Sequence, residues 1–207
     1  VIRNGSGDPI YGYKNLDYLM GLIEPYTYQI DASVLNLPVS VHQVYTCDMS
    51  NEQEMLYNIE KENLLDLIKK DEVKVTDIFQ TFTRMQQITC GFLQGKRIFN
   101  FKKDLLEEIE LPGKVVIFCK YLIEIEMVKE IFGAENCAIF TGMNPKTRDE
   151  EKDSFVKGDK RFFVATMQSG GTGLNGMQEV CDTVVFFSQS FSYFLRKQSI
   201  GRLERKG

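Results

Sequence analysis

Gly113-Lys-Val-Val-Ile-Phe-Cys-Lys-Tyr121 is the stretch that decides the fold. Residues 115–119 are apolar without interruption, follow Pro112-Gly113 and stop at Lys120. A run this short, bounded by a breaker and a charge, reads as a strand buried on both faces. Downstream the pattern repeats. Residues 121–132 have helical spacing, 137–141 read as a strand, 144–157 as a helix and 161–166 as a strand. Residues 183–187 are a further strand and 193–206 a helix. Short apolar strands alternating with helices predict an α/β fold, a mainly parallel sheet covered by helices on both faces.

Upstream the pattern is different. Residues 15–23 space their apolar groups like a short helix, and Leu37-Pro38 punctuates the chain. Residues 39–49 alternate like a strand, with His42 as a structural member. Ser50 with Gln53 three residues on is a capping-box signal. The helix it opens should run to about residue 70, with Met55, Ile59, Leu64, Leu65 and Ile68 largely on one side. Further helices are expected over 76–93 and 102–109. These helices predict a packing layer inserted before the sheet.

Composition narrows the function classes. Hydrophobic content of 43% and charged content of 26% are ordinary for a globular domain. No run approaches a membrane helix, and no signal peptide is visible. The chain has five cysteines without Cys-x-x-Cys spacing and a single histidine, which argues against a zinc site. Thiols in a reducing compartment are expected. The net charge is −4, yet residues 194–207 alone carry +4, leaving −8 elsewhere. A basic site on an acidic body suits a confined phosphate contact.

That basic site is Gln198-Ser-Ile-Gly-Arg-Leu-Glu-Arg-Lys-Gly207. Arg202 and Arg205 lie three apart, on one face of a helix. Two guanidiniums there make a forked cationic surface for phosphate oxygens. Between two strands lies Ser169-Gly-Gly-Thr-Gly-Leu-Asn-Gly176. Residues 171–176 satisfy Gly-x-Gly-x-x-Gly, but only six residues separate Gly176 from Thr183, too few for the crossover helix of a dinucleotide fold, and the next strand ends without a carboxylate. A tight turn and a backbone cradle for phosphate or DNA remain as readings.

The Gln-x-x-Gly-Arg-x-x-Arg pattern resembles the sixth conserved motif of superfamily-two helicases, and Lys206-Gly207 is similar to the Swi/Snf branch of DNA-translocating ATPases. The glycine stretch resembles the fifth motif, and residues 114–121 the fourth. Phe140-Thr-Gly-Met-Asn-Pro-Lys-Thr-Arg148 with Phe155 is similar to the segment between them. Two departures stand out: Met167 and Gln168 occupy positions where the family has a threonine and a basic residue.

The resemblance implies the second RecA-like lobe of such an enzyme. Residues 1–34 would be a connector from the first lobe, 35–112 a strand plus helical layer, and 113–207 the RecA-like core. It implies Arg202 and Arg205 as catalytic, with Arg205 the arginine finger, and Gln198 orienting the arginines or the attacking water. Gly173 and Asn175 would line the nucleotide. Thr141, Gly142, Arg148, Thr166, Ser169, Gly170 and Gly171 would face DNA; Arg148 is equally readable as a solvated helix arginine. The phosphate loop and acidic Mg²⁺ motif of a first lobe are absent from the sequence, and Asp149-Glu-Glu151 reads as helix-dipole acids. ATP and Mg²⁺ are therefore expected only in the full-length protein, with no metal site here and no hydrolysis by this lobe alone. The implied partners are the first lobe and double-stranded DNA. A bacterial or phage origin and a cytoplasmic location are expected, nuclear if eukaryotic. A strand-separating helicase, a restriction-type motor and a non-catalytic binding lobe are the alternatives.

Overall fold

The structure is a computed structural model that describes residues 14–28, 40–170, 176–201 and 203. The chain divides into two compact units, Val1–Val39 and Ser40–Gly207. In the first, helix α1 (Leu16–Ile23) runs into a 3₁₀ turn, Glu24–Tyr26, that carries Pro25 in its first turn.

The second unit is built on a four-stranded parallel sheet in the order β4-β5-β3-β6. Its strands are β3 (Val115–Cys119), β4 (Cys137–Phe140), β5 (Phe162–Thr166) and β6 (Thr183–Phe186). All five β3 residues are buried. Successive side chains point to opposite faces, so the apolar runs feed two cores. Val115, Ile117, Val164 and Phe162 pack with Leu106 of α4 (Lys102–Glu108) and Ile125 and Val128 of α5 (Leu122–Phe132). Val116, Phe118, Phe163 and Ala165 pack with Phe155 of α6 (Arg148–Val156) and Met167 of α7 (Met167–Gly170). Burial of each large side chain contributes about 1.5–3 kcal/mol, which makes the central strands the anchor of the unit. This is the α/β architecture expected, with helices on both faces. Gly133, at φ 84°, ends α5 in a conformation that other residues adopt only at a cost.

Before the sheet stand α2 (Asn51–Lys69) and α3 (Val75–Thr89). The capping box at Ser50 forms: Gln53 N donates to Ser50 Oγ at 3.2 Å and Ser50 N donates to Gln53 Oε1 at 3.0 Å. Ser50 Oγ also donates to Phe99 O at 2.7 Å, joining the cap to the chain leading into α4.

Five expectations need correction. Residues 40–49 form no strand; they are irregular and exposed, His42 included. Alternation marks a strand only where a neighbouring strand supplies a ladder. On α2 the packed side is Gln53, Leu56, Tyr57, Leu64 and Leu67, while Met55, Ile59, Leu65 and Ile68 are exposed. The buried Gln53, whose Nε2 donates to Ile88 O at 2.6 Å, turns the helix this way. Helix α3 stops at Thr89, and a small hairpin follows, β1 (Phe92–Leu93) with β2 (Lys96–Arg97). Its turn places Gln94 at φ 48° and Gly95 at φ 80°, the two positive angles of a type I′ turn. Helix α6 starts at Arg148 rather than 144, because Pro145 disfavours helical backbone at Asn144 and the Asn144 side chain bonds the preceding turn. Helix α8 (Tyr193–Ile200) starts where expected but ends at Ile200 rather than at 206, because Gly201, a poor helix former, stands at its C-cap.

Candidate nucleic-acid interface

Because the four strands are parallel, their C-terminal ends lie on one rim, the usual ligand edge of open α/β sheets. In sheet order the rim carries the turn at Thr141, then Thr166 with α7, then Lys120, then residues 187–191. Three strand spacings make it about 14 Å wide. That matches about four nucleotides of axial rise at 3.4 Å each.

At the outer strand, Thr141 is buried. Thr141 Oγ1 donates to Asn144 Oδ1 at 2.9 Å and accepts from Met143 N at 3.1 Å, so the hydroxyl is consumed within the turn. Asn144 Oδ1 also accepts from Thr141 N at 2.9 Å, and its Nδ2 donates to Ile139 O at 2.7 Å. Arg148 is partly buried; its Nε donates to Thr141 O at 2.7 Å and its guanidinium lies 5.1 Å from the Phe140 ring centre. Gly142 faces open space where a side chain would be. Asp149, Glu150 and Glu151 do sit in the first turn of α6, as dipole acids would.

After β5, Thr166 Oγ1 donates to Ser169 Oγ at 2.9 Å and accepts from Ser169 N at 3.4 Å, capping α7. Met167 is buried in the core and Gln168 is exposed. Gly170 closes α7. Gly171, Gly173 and Asn175 lie outside the described residues, as do Arg202 and Arg205. Gln198 sits partly buried on α8, one residue before the buried Ser199. Among the described residues no group of His, Cys, Asp and Glu could hold a metal ion, and no helix is long and apolar enough to cross a membrane. Cys90, Cys119, Cys137 and Cys181 are buried free thiols, and Cys47 is exposed.

The centre of the rim holds residues to which motif reading gave no role. Lys120 Nζ donates to Gln86 Oε1 from α3 and lies 4.2 Å from the ring centre of Phe191, an exposed aromatic. Tyr121 OH donates to the same Gln86 Oε1 at 3.2 Å, and Gln86 Nε2 donates to Gln189 O at 2.6 Å. Burial lowers the Lys120 ammonium from the ordinary lysine value, opposed by Cys90 and Glu124. Burial, then Cys90 and Glu124, pushes the Tyr121 phenol up to about 12, keeping it a donor. A cation beside an exposed aromatic at a strand end is a pairing that accepts phosphate and a stacked ring together. The available signal was positional: the first polar residue after a wholly buried parallel strand falls on the rim.

The fold is similar to known ATPase structures. The Sulfolobus solfataricus SWI2/SNF2 ATPase core domain superposes with a TM-score of 0.64 at 21% identity over 91% of this chain, which spans 44% of that chain's length. The C-terminal part of the Fun30 ATPase domain superposes with a TM-score of 0.59 at 16% identity, over 83% of this chain and 82% of that one. No curated protein matches the sequence significantly. Residues 97–207 match the helicase conserved C-terminal domain, more than half of the 207 residues, and the chain belongs to that family.

Proposed function

We propose that this chain is the second lobe of an ATP-dependent DNA translocase of the Swi/Snf type. The observation that carries the reading is the single rim on which Thr141–Gly142, Thr166–Gly170 and Lys120 follow one another in sheet order. Lys120 meets a phosphate of one strand of duplex DNA, beside the Phe191 ring. Gly142 and the α7 turn let backbone N–H groups approach neighbouring phosphates, and Arg148 acts by fixing the turn that presents Gly142.

The nucleotide side of the reading rests on the C-terminal motif. ATP is the substrate, bound between this lobe and a first lobe that would hold Mg²⁺ to neutralise phosphate charge. Gly173 and Asn175 border the nucleotide. Arg202 and Arg205 reach the β- and γ-phosphates on closure, Arg205 as the finger, and Gln198 orients them or the attacking water. Such a finger is worth about 10³–10⁵ in rate. This lobe alone neither hydrolyses ATP nor binds it tightly. A bacterial or phage source and a cytoplasmic site go with this reading.

A second reading, a lobe kept for binding alone, is favoured by one observation. Met167 is buried in the core and Gln168 is neutral, so this turn presents no basic side chain to DNA. The test is ATP hydrolysis by the complete protein with and without duplex DNA. DNA-stimulated turnover supports the motor, and turnover indifferent to DNA supports the binding lobe. A forked duplex added to the same reaction separates a translocase, which leaves the strands paired, from a strand-separating helicase.

A further inference from the structure

Glu124 is the third residue of α5 and is fully buried. Its Oε2 accepts from Lys120 N at 3.1 Å, Tyr121 N at 3.0 Å and Ser188 Oγ at 2.6 Å, and Lys120 N also donates to Ser188 Oγ at 2.7 Å. Its Oε1 has no hydrogen bond and faces Lys102 Nζ of α4 at 3.8 Å. Lys102 in turn donates to Phe187 O and lies 4.3 Å from the Phe187 ring centre.

Helix capping does not require this. Asp77 caps α3 through Lys74 N at 2.9 Å at an exposed site, and the neutral Gln53 caps α2. A buried carboxylate carries a desolvation cost that a surface cap avoids. What the burial adds at Glu124 is reach: one carboxylate joins the turn after β3, the turn after β6 and helix α4. Those two turns carry Lys120 and, three residues beyond Ser188, Phe191.

We infer that Glu124 is a positioning residue for the nucleic-acid rim, setting the direction of Lys120 through its backbone and through Ser188. The inference rests on the proposed DNA reading of that rim. Glu124 touches neither nucleotide nor DNA; it acts on affinity for DNA through Lys120. The tie to Lys102 makes the inserted helical layer part of the same device.

The test uses the complete protein with a fluorescent duplex and measures DNA affinity, half-saturating DNA for ATP hydrolysis, and kcat. The variants are Glu124→Gln, Lys120→Ala, the double variant and Ser188→Ala. Lys120→Ala should weaken binding about tenfold and reduce the salt slope by about one, the loss of one phosphate contact. Glu124→Gln should raise half-saturating DNA severalfold, more than it lowers kcat. The decisive result is coupling: added to Lys120→Ala, Glu124→Gln should change DNA affinity no further. Effects that multiply in the double variant, or an unchanged affinity in Glu124→Gln, overturn the inference while leaving wild-type DNA stimulation intact. If Glu124→Gln does not fold, Ser188→Ala carries the same test, with a shift that vanishes on the Lys120→Ala background expected and an unchanged affinity contradicting it. Wild-type protein that fails to respond to DNA removes the rim reading and this inference together.

Discussion

Arg148 Nε donates to the carbonyl of Thr141 at 2.7 Å, closing the turn between β4 and α6. The guanidinium therefore works as a clamp on its own fold, a role between the solvated arginine and the direct DNA contact that the sequence left open. Arg148→Lys removes the Nε donor while keeping the charge. It should destabilise the protein by about 1 kcal/mol, the net worth of one such bond. Urea unfolding checks this; a midpoint indistinguishable from wild type would show that the clamp is idle.

The N-cap of α2 makes a second prediction. Ser50→Ala removes both the bond to Gln53 N and the bond to Phe99 O. A lost cap costs about 1–2 kcal/mol. The urea midpoint should fall with the slope unchanged, because the surface exposed on unfolding stays the same. Ser50→Thr, which retains the hydroxyl, should recover most of the loss.

The corrected face of α2 is testable in the same assay. Met55→Lys and Ile68→Lys alter exposed positions and should shift stability by no more than about 0.5 kcal/mol. Phe155→Ala empties a site with no exposure in the second core and should cost about 3–5 kcal/mol. Comparable losses at Met55 and Phe155 would mean that α2 packs on the opposite side.

Thiol chemistry gives a pH dependence. Burial first, then Glu124, pushes the Cys90 thiol from the ordinary 9.0 up to about 12, and burial pushes Cys137 to about 11. The folded state therefore holds these protons more tightly than the unfolded chain. The resulting stability is fully present below pH 9 and is lost as pH rises towards 12. At pH 8 a thiol reagent should label the exposed Cys47 quickly and Cys90, Cys119, Cys137 and Cys181 only on unfolding. Rapid labelling of all five in native protein would contradict the burial.

The sheet was legible because its strands are continuous apolar runs, a pattern that only burial on both faces explains. Residues 115–119 and 183–186 were read to within a residue. The inserted layer was harder. Its hairpin strands are two residues each, too short for periodicity, and the α2 stripe misled because one buried glutamine outweighed four exposed apolar groups. Site residues came partly from motif order. Thr141, Gly142, Arg148, Thr166, Ser169 and Gly170 fall on or beside the rim. Lys120, Gln86 and Glu124 were given no role because the contacts that tie them into the rim span 34 to 103 residues of sequence.

On the proposed reading, this lobe completes an ATPase by supplying Arg205. The most direct measurement is ATP hydrolysis by the complete protein, with saturating duplex DNA, beside its Arg205→Ala variant. DNA-stimulated turnover should fall by about 10³ or more in the variant. An Arg205→Ala enzyme that hydrolyses ATP at the wild-type rate would contradict it.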